Sequence, residues 1–96
     1  PPAAHMLSIQ IGGKEEELTA HMTEAVAEAV GRRFGQQAEL IGPVFAPVYK
    51  VNDIYRKILY IKQENYDILI RIQKYVQNRW DETEICRKLT IQYDFS

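Results

Sequence analysis

Leu7, Ile9 and Ile11 alternate with Ser8 and Gln10, the period-two pattern of a strand with one buried face. Gly12-Gly13 ends that pattern. Glu15 to Glu17 then open a helix, where their carboxylates complement the positive end of the dipole. Met22, Val26, Ala29 and Val30 recur at helical spacing, with Leu18 and Ala25 on the same side; Thr19, Glu24 and Glu28 fall on the outer surface. Gly31 and Gly35, near Arg32 and Arg33, mark the end of this helix. Residues 40–51 read as a second strand, interrupted at Gly42-Pro43 and again at Pro47. Proline cannot donate to a sheet ladder, so this strand should lie at an edge or carry a bulge. Asn52-Asp53 is a turn signal. Residues 54–62 form a third strand, rich in β-branched and aromatic side chains. Gln63 to Asn65 make a short loop, with Asn65 as the N-cap of a second helix over 66–78. Leu69, Ile72 and Val76 are its apolar stripe, flanked by Ile68 and Tyr75. A polar connection over 79–88 carries Trp80 and Cys86, and Leu89, Ile91, Tyr93 and Phe95 alternate with Thr90, Gln92 and Asp94 in a last strand.

The order β-α-β-β-α-β predicts an α+β fold of the ferredoxin-like, split β-α-β kind: a four-stranded antiparallel sheet with both helices on one face. If the alternating apolar residues of the first and last strands face the helices, the open face carries Ser8, Gln10, Thr90, Gln92 and Asp94. That surface is polar and poor in stacking rings, unlike the base-stacking sheets of RNA readers with this topology. Tyr93 then belongs to the core.

Composition narrows the function classes. The 96 residues, 46% hydrophobic and 26% charged, suit a single globular domain. The opening Pro1-Pro2-Ala3-Ala4-His5-Met6 resembles a cloning junction, so residues 1–6 are expected to be a remnant and residues 7–96 the domain. The net charge is −1, so the molecule as a whole is no strongly basic nucleic-acid binder. The charge is uneven, however. Lys14, Arg32 and Arg33 face six glutamates in the first half, whereas residues 50–96 carry nine Lys or Arg against seven Asp or Glu. Cys86 is the lone cysteine, which excludes a disulfide framework and fits a reducing compartment.

No enzyme signature emerges. With His5 in the remnant, His21 is the sole remaining histidine, and with Cys86 it cannot supply the three or four ligands of a zinc site. No nucleophile motif is present. Gly12-Gly13-Lys14 leads into a helix and could in principle hold a phosphate on free amides, but it lacks the phosphate-loop spacing, so it reads as a turn. Acylphosphatases share this fold class and use an arginine in the loop after the first strand, where this chain has only glycines and Lys14. No cofactor is expected. The third strand offers a binding chemistry instead. One parity holds Arg56, Ile58, Tyr60 and Lys62; the other holds Tyr55, Lys57, Leu59 and Ile61. The first set puts two cations and a tyrosine on one face, which suits phosphate contact with base stacking. Ordinary solvent-facing strand charges are the competing reading. Lys50, Lys57, Arg32 and Arg33 add candidate cations, and Arg71 and Lys74 lie one turn apart on the second helix, where Asp67 is an alternative partner. Trp80 reads as a lid over the core.

The element Gly42-Pro43-Val44-Phe45-Ala46-Pro47, with Lys50, Tyr55-Arg56 and a strand ending in Lys62, resembles the C-terminal domain of primosomal protein N′, the PriA-type replication-restart DNA helicases. Gly42, Pro43, Ala46 and Pro47 are the specific part of the likeness. Relatives usually close the last strand with an Asp-x-Asp-Pro-like sequence; here Gln92-Tyr93-Asp94-Phe95 keeps only Asp94. The ATPase motifs and cysteine zinc sites of that family are absent from the chain. The resemblance implies a non-catalytic, cytoplasmic accessory domain of a larger ATP-dependent helicase. It implies forked or single-stranded DNA as a partner at stalled forks, and the cations and ring read from the sequence, Arg56, Lys57, Tyr60, Lys62, Lys50, Arg32 and Arg33, are the residues expected to bind it. It also implies an alternative: a module that docks on the remaining helicase domains and captures the acidic tail of the single-stranded-DNA-binding protein, with Arg71 and Lys74 as the contact.

Overall fold

The computed structural model describes residues 4–80 and 87–96, with the side chains of residues 48 and 49 set aside. The elements follow the expected order: β1 (His5–Gly13), α1 (Glu16–Phe34), β2 (Glu39–Val51), β3 (Ile54–Gln63), α2 (Tyr66–Trp80) and β4 (Leu89–Phe95). The sheet runs β2-β3-β1-β4, with every neighbouring pair antiparallel. Each β-α-β unit skips one strand position, as the split arrangement requires. The expected polar connection falls largely in 81–86, so Cys86 lies outside the described residues.

The core lies between the sheet and the helices. Leu7, Ile9 and Ile11 of β1 are fully buried, and so are Ile61 of β3, Val26 and Val30 of α1, and Leu69, Ile72 and Val76 of α2. Ile91, Tyr93 and Phe95 pack on the same core from the β4 side. Trp80 is the last residue of α2 and is buried. Its ring meets Tyr75 edge-on at 6.4 Å, and Tyr75 in turn meets Phe34 at the end of α1, at 5.7 Å. Trp80 is thus the expected lid, placed there by two more residues of helix than the apolar stripe indicated.

Two expectations for α1 are corrected. Thr19 is fully buried rather than on the outer surface. Its hydroxyl donates to the Glu15 carbonyl at 2.8 Å, and that of Thr23 to the Thr19 carbonyl at 2.7 Å. With the hydroxyls satisfied inside their own helix, both threonines face the sheet without an unmet polar group. Ala25, placed with the apolar stripe, is exposed instead. Gly31 lies within the helix, and Gly35 ends it with right-handed backbone.

The strand ends are pinned as follows. β1 begins at His5 and runs through Met6, whose backbone exchanges hydrogen bonds with Ser96 at 2.9 and 2.8 Å. Asn52 and Asp53 both have positive φ and close the β2–β3 hairpin as a two-residue turn. Asn65 caps α2 through Oδ1, which accepts from the Asp67 amide at 2.9 Å. β2 is both an edge strand and a bulged one. Its register shifts between Ile41 and Val44 and again between Phe45 and Lys50, around the two prolines. Gly42 sits at the first shift with φ +97, a conformation that favours glycine.

Gly13 marks the closest approach of β1 to its surroundings. A Cβ there would sit 2.4 Å from Leu89 Cδ2 and 2.8 Å from Thr19 Oγ1. Gly13→Ala is therefore expected to destabilise the fold by about 1–3 kcal/mol, the usual cost of overpacking. Thermal unfolding followed by circular dichroism checks this. An unchanged melting temperature would mean the helix start moves aside freely.

Candidate nucleic-acid interface

Strand register decides which side chains share a face. β1 pairs with β3 so that Ile9 lies opposite Leu59 and Leu7 opposite Ile61. Those residues are buried under the helices. The alternate set, Arg56, Ile58, Tyr60 and Lys62, lies opposite Gly12, Gln10, Ser8 and Met6 and so belongs to the open face. β4 adds Thr90, Gln92 and Asp94 opposite Gly12, Gln10 and Ser8. Gln10 Nε2 donates to Gln92 Oε1 across the strands at 3.3 Å. The open face is thus polar along β1 and β4, as the alternation indicated, and carries its cations and ring on β3.

The candidate cations do not form one cluster. Arg56 and Lys62 are six residues apart on one strand, about 20 Å at ~3.3 Å per residue. Tyr60 lies between them. Lys62 sits directly opposite Glu39 of β2. Lys57 belongs to the other face, where its side chain is only 13% exposed, 3.7 Å from a Glu24 carboxylate oxygen of α1 and 4.9 Å from the Phe45 ring centre. It is absorbed into the seam between α1 and the β2–β3 hairpin. Lys50 lies opposite Tyr55, 5.0 Å from that ring, and reaches Asp53 at 3.8 Å. Arg32 pairs with Glu28 one turn earlier on α1. Arg33 lies over Phe34 at 5.8 Å and Tyr75 at 5.3 Å, bridging the two helices. Lys57, Lys50, Arg32 and Arg33 therefore do not reach the open face with Arg56. Arg71 and Lys74 are exposed on α2, and neither forms an ion pair with Asp67 or another described residue.

Gly42 and Pro43 stand at the first irregularity of β2, and Ala46, buried, lies between the two prolines. This motif shapes the edge of the sheet. Val44 and Phe45 beside it stay substantially exposed.

Sequence reasoning missed a second basic group. Lys14, after β1, and Arg87 and Lys88, before β4, join Arg56 around a groove of about 760 Å³ at one end of the open face. Its floor includes Gly12, Thr90, Gln10 and Gln92. Arg87 and Lys88 are separated from Arg56 by some thirty positions, so only the β3–β1–β4 register brings them together. Among the described residues, no group of three or more His, Cys, Asp or Glu could hold a metal ion, and no helix is long and apolar enough to cross a membrane.

Solved structures share the architecture. A de novo designed protein, Foldit4, superposes with a TM-score of 0.73 at 13% identity, covering 97% of this chain and 96% of that one. A dimeric ferredoxin-like protein from an uncultured marine organism gives 0.62 at 7% identity, over 97% and 94%. A second dimeric ferredoxin-like protein of the same description gives 0.55 at 15% identity, over 97% and 90%. At such identities the likeness shows the ferredoxin-like fold alone. No curated protein sequence matches the chain. The family model of the primosomal protein N C-terminal domain, however, matches residues 1–95, and the chain belongs to that replication-restart family.

Proposed function

We propose that this domain is a non-catalytic accessory module of a replication-restart helicase, and that its open sheet face holds branched or single-stranded DNA without sequence preference. Family membership supplies the replication context. The observation that carries the binding mode is the β3 row on the open face, with partly exposed Arg56 and Lys62 at its ends and Tyr60 between them. Cations at such spacing suit backbone phosphates, and a tyrosine between them suits a stacked base. Among the described residues the face carries no further array of rings, which favours contact through phosphates over sequence readout. The parent chain would carry the ATPase and act in the cytoplasm, where such DNA forms.

A second reading rests on Arg71 and Lys74, exposed one turn apart on α2 and on the opposite side of the molecule from the sheet's open face. They would take the acidic tail of the single-stranded-DNA-binding protein, with the rest of the helicase completing that surface.

Titration with a forked oligonucleotide at low salt tests the first reading. Binding should weaken steeply between 50 and 200 mM salt, in proportion to the phosphates contacted. Tyr60→Ala should cost about 1–3 kcal/mol if one base stacks there. Arg56→Ala with Lys62→Ala should flatten the salt dependence, whereas Lys57→Gln should leave affinity unchanged. Failure to bind at ~50 mM salt, or binding indifferent to salt, would rule the interface out.

Charge reversal at Arg71 and Lys74 separates the readings. It should abolish binding of an acidic peptide and leave forked-DNA binding intact. Loss of both together would mean the two ligands share one surface.

A further inference from the structure

We infer that the groove bounded by Lys14, Arg56, Arg87 and Lys88 is a phosphate seat, taking the phosphodiester backbone of a nucleic-acid strand that continues off the β3 row. The inference rests on the nucleic-acid reading above and extends its site to three residues that the reading does not use.

The seat follows from the sheet itself. Arg56, Gly12 and Thr90 form one row across β3, β1 and β4. Neighbouring strands are about 4.8 Å apart, so Arg56 and Thr90 flank a slot whose middle position has no side chain. A side chain there would be tight against its neighbours. A Cβ on Gly12 would lie 3.1 Å from Thr90 Oγ1 and 3.3 Å from Ile54 Cγ2. Thr90 donates weakly to the Gly12 carbonyl at 3.4 Å, and the Gln10–Gln92 pair forms the next row. The floor is therefore polar and low.

The rim is basic. Lys14 follows β1, and Arg87 and Lys88 lead into β4, so three segments deliver cations to one groove. Glu15 is the one acidic residue among the described lining. None of Lys14, Arg56, Arg87 and Lys88 forms an ion pair with a described residue. Cations without an ion pair among the described residues, set around this floor, attract a multiply charged anion, and guanidinium groups match phosphate oxygens in pairs. A peptide carboxylate would also meet these charges. Ile54 and Leu89 are the aliphatic side chains among the described lining, so a peptide would find few apolar residues beside its carboxylates. The floor favours phosphate.

Amide chemical-shift titration of the full chain tests this with three probes: inorganic tripolyphosphate, a thymidine oligonucleotide and an acidic peptide. The expected result is that tripolyphosphate and the oligonucleotide both shift Gly12, Gly13, Thr90 and Gln92. Arg87→Gln with Lys88→Gln should weaken tripolyphosphate at least tenfold. For the oligonucleotide, the same pair should lower the slope of log affinity against log salt by about 1.4, at roughly 0.7 per lost contact on a single strand. Lys14→Gln should act in the same direction. Groove amides that stay still with both phosphate probes, or an unchanged slope in the Arg87 and Lys88 variant, would overturn the seat. Shifts confined to Ser8, Tyr60 and Lys62 would do so while leaving the DNA reading in place. Tripolyphosphate seating without any oligonucleotide binding would overturn both the strand assignment and the DNA reading, leaving a site for small anions alone. A groove that answers to the peptide alone would overturn the phosphate assignment.

Discussion

The pairing of Ile9 with Leu59 across the two central strands is the contact on which the rest of the structure depends. Both residues are buried beneath the helices, so the β1–β3 register cannot slip by one residue without turning the core outward. That constraint also sorts the chemistry. With Leu59 inward, Arg56, Tyr60 and Lys62 must be outward, and Lys57 must go under α1. The polar face is a by-product of where the apolar one has to be.

The sheet's edge obeys a different constraint. β2 has a partner on one side only, and an unpaired row of amides invites association. Pro43 and Pro47 remove two amides from that strand, and the two register shifts bend it. Of the apolar surface left there, the Phe45 ring is partly roofed by the Lys57 side chain, whereas Val44 stays exposed on the other face. The motif that most resembled a family signature thus acts in this chain as edge architecture. Its influence on the open face is indirect, through the hairpin that returns the chain as β3.

Much of this was legible because the strands alternate cleanly. Leu7 to Ile11 and Leu89 to Phe95 each have one interpretation, and the prolines of β2 had to mean an edge or a bulge. Thr19 was not legible, because a threonine whose hydroxyl returns to its own helix behaves as an apolar residue, and pattern reading scores it as polar. The parity of β3 was open because both of its faces mix cations with apolar side chains; only the partner strand decides between them. The groove was invisible for a related reason. Lys14 alone reads as a turn residue and Arg87-Lys88 as part of a loop, and the glycine between Arg56 and Thr90 means nothing until three strands are in register.

A net charge of −1 looks like an argument against a polyanion partner, but whole-molecule charge is the wrong quantity once the fold has sorted it. Three acidic side chains of α1 and the hairpin turn are used locally: Glu28 pairs Arg32, Glu24 pairs Lys57 and Asp53 pairs Lys50. Each pair lies on the helices or at the hairpin. They remove cations from the count on that side and leave Arg56, Lys14, Arg87 and Lys88 around a single groove on the other. A partner approaching the open face meets local potential over about a Debye length, ~8–10 Å at ordinary salt, rather than the sum over the chain. A near-neutral total is therefore compatible with a locally basic groove on the open face, even though Arg71 and Lys74 leave cations exposed on the helix side as well.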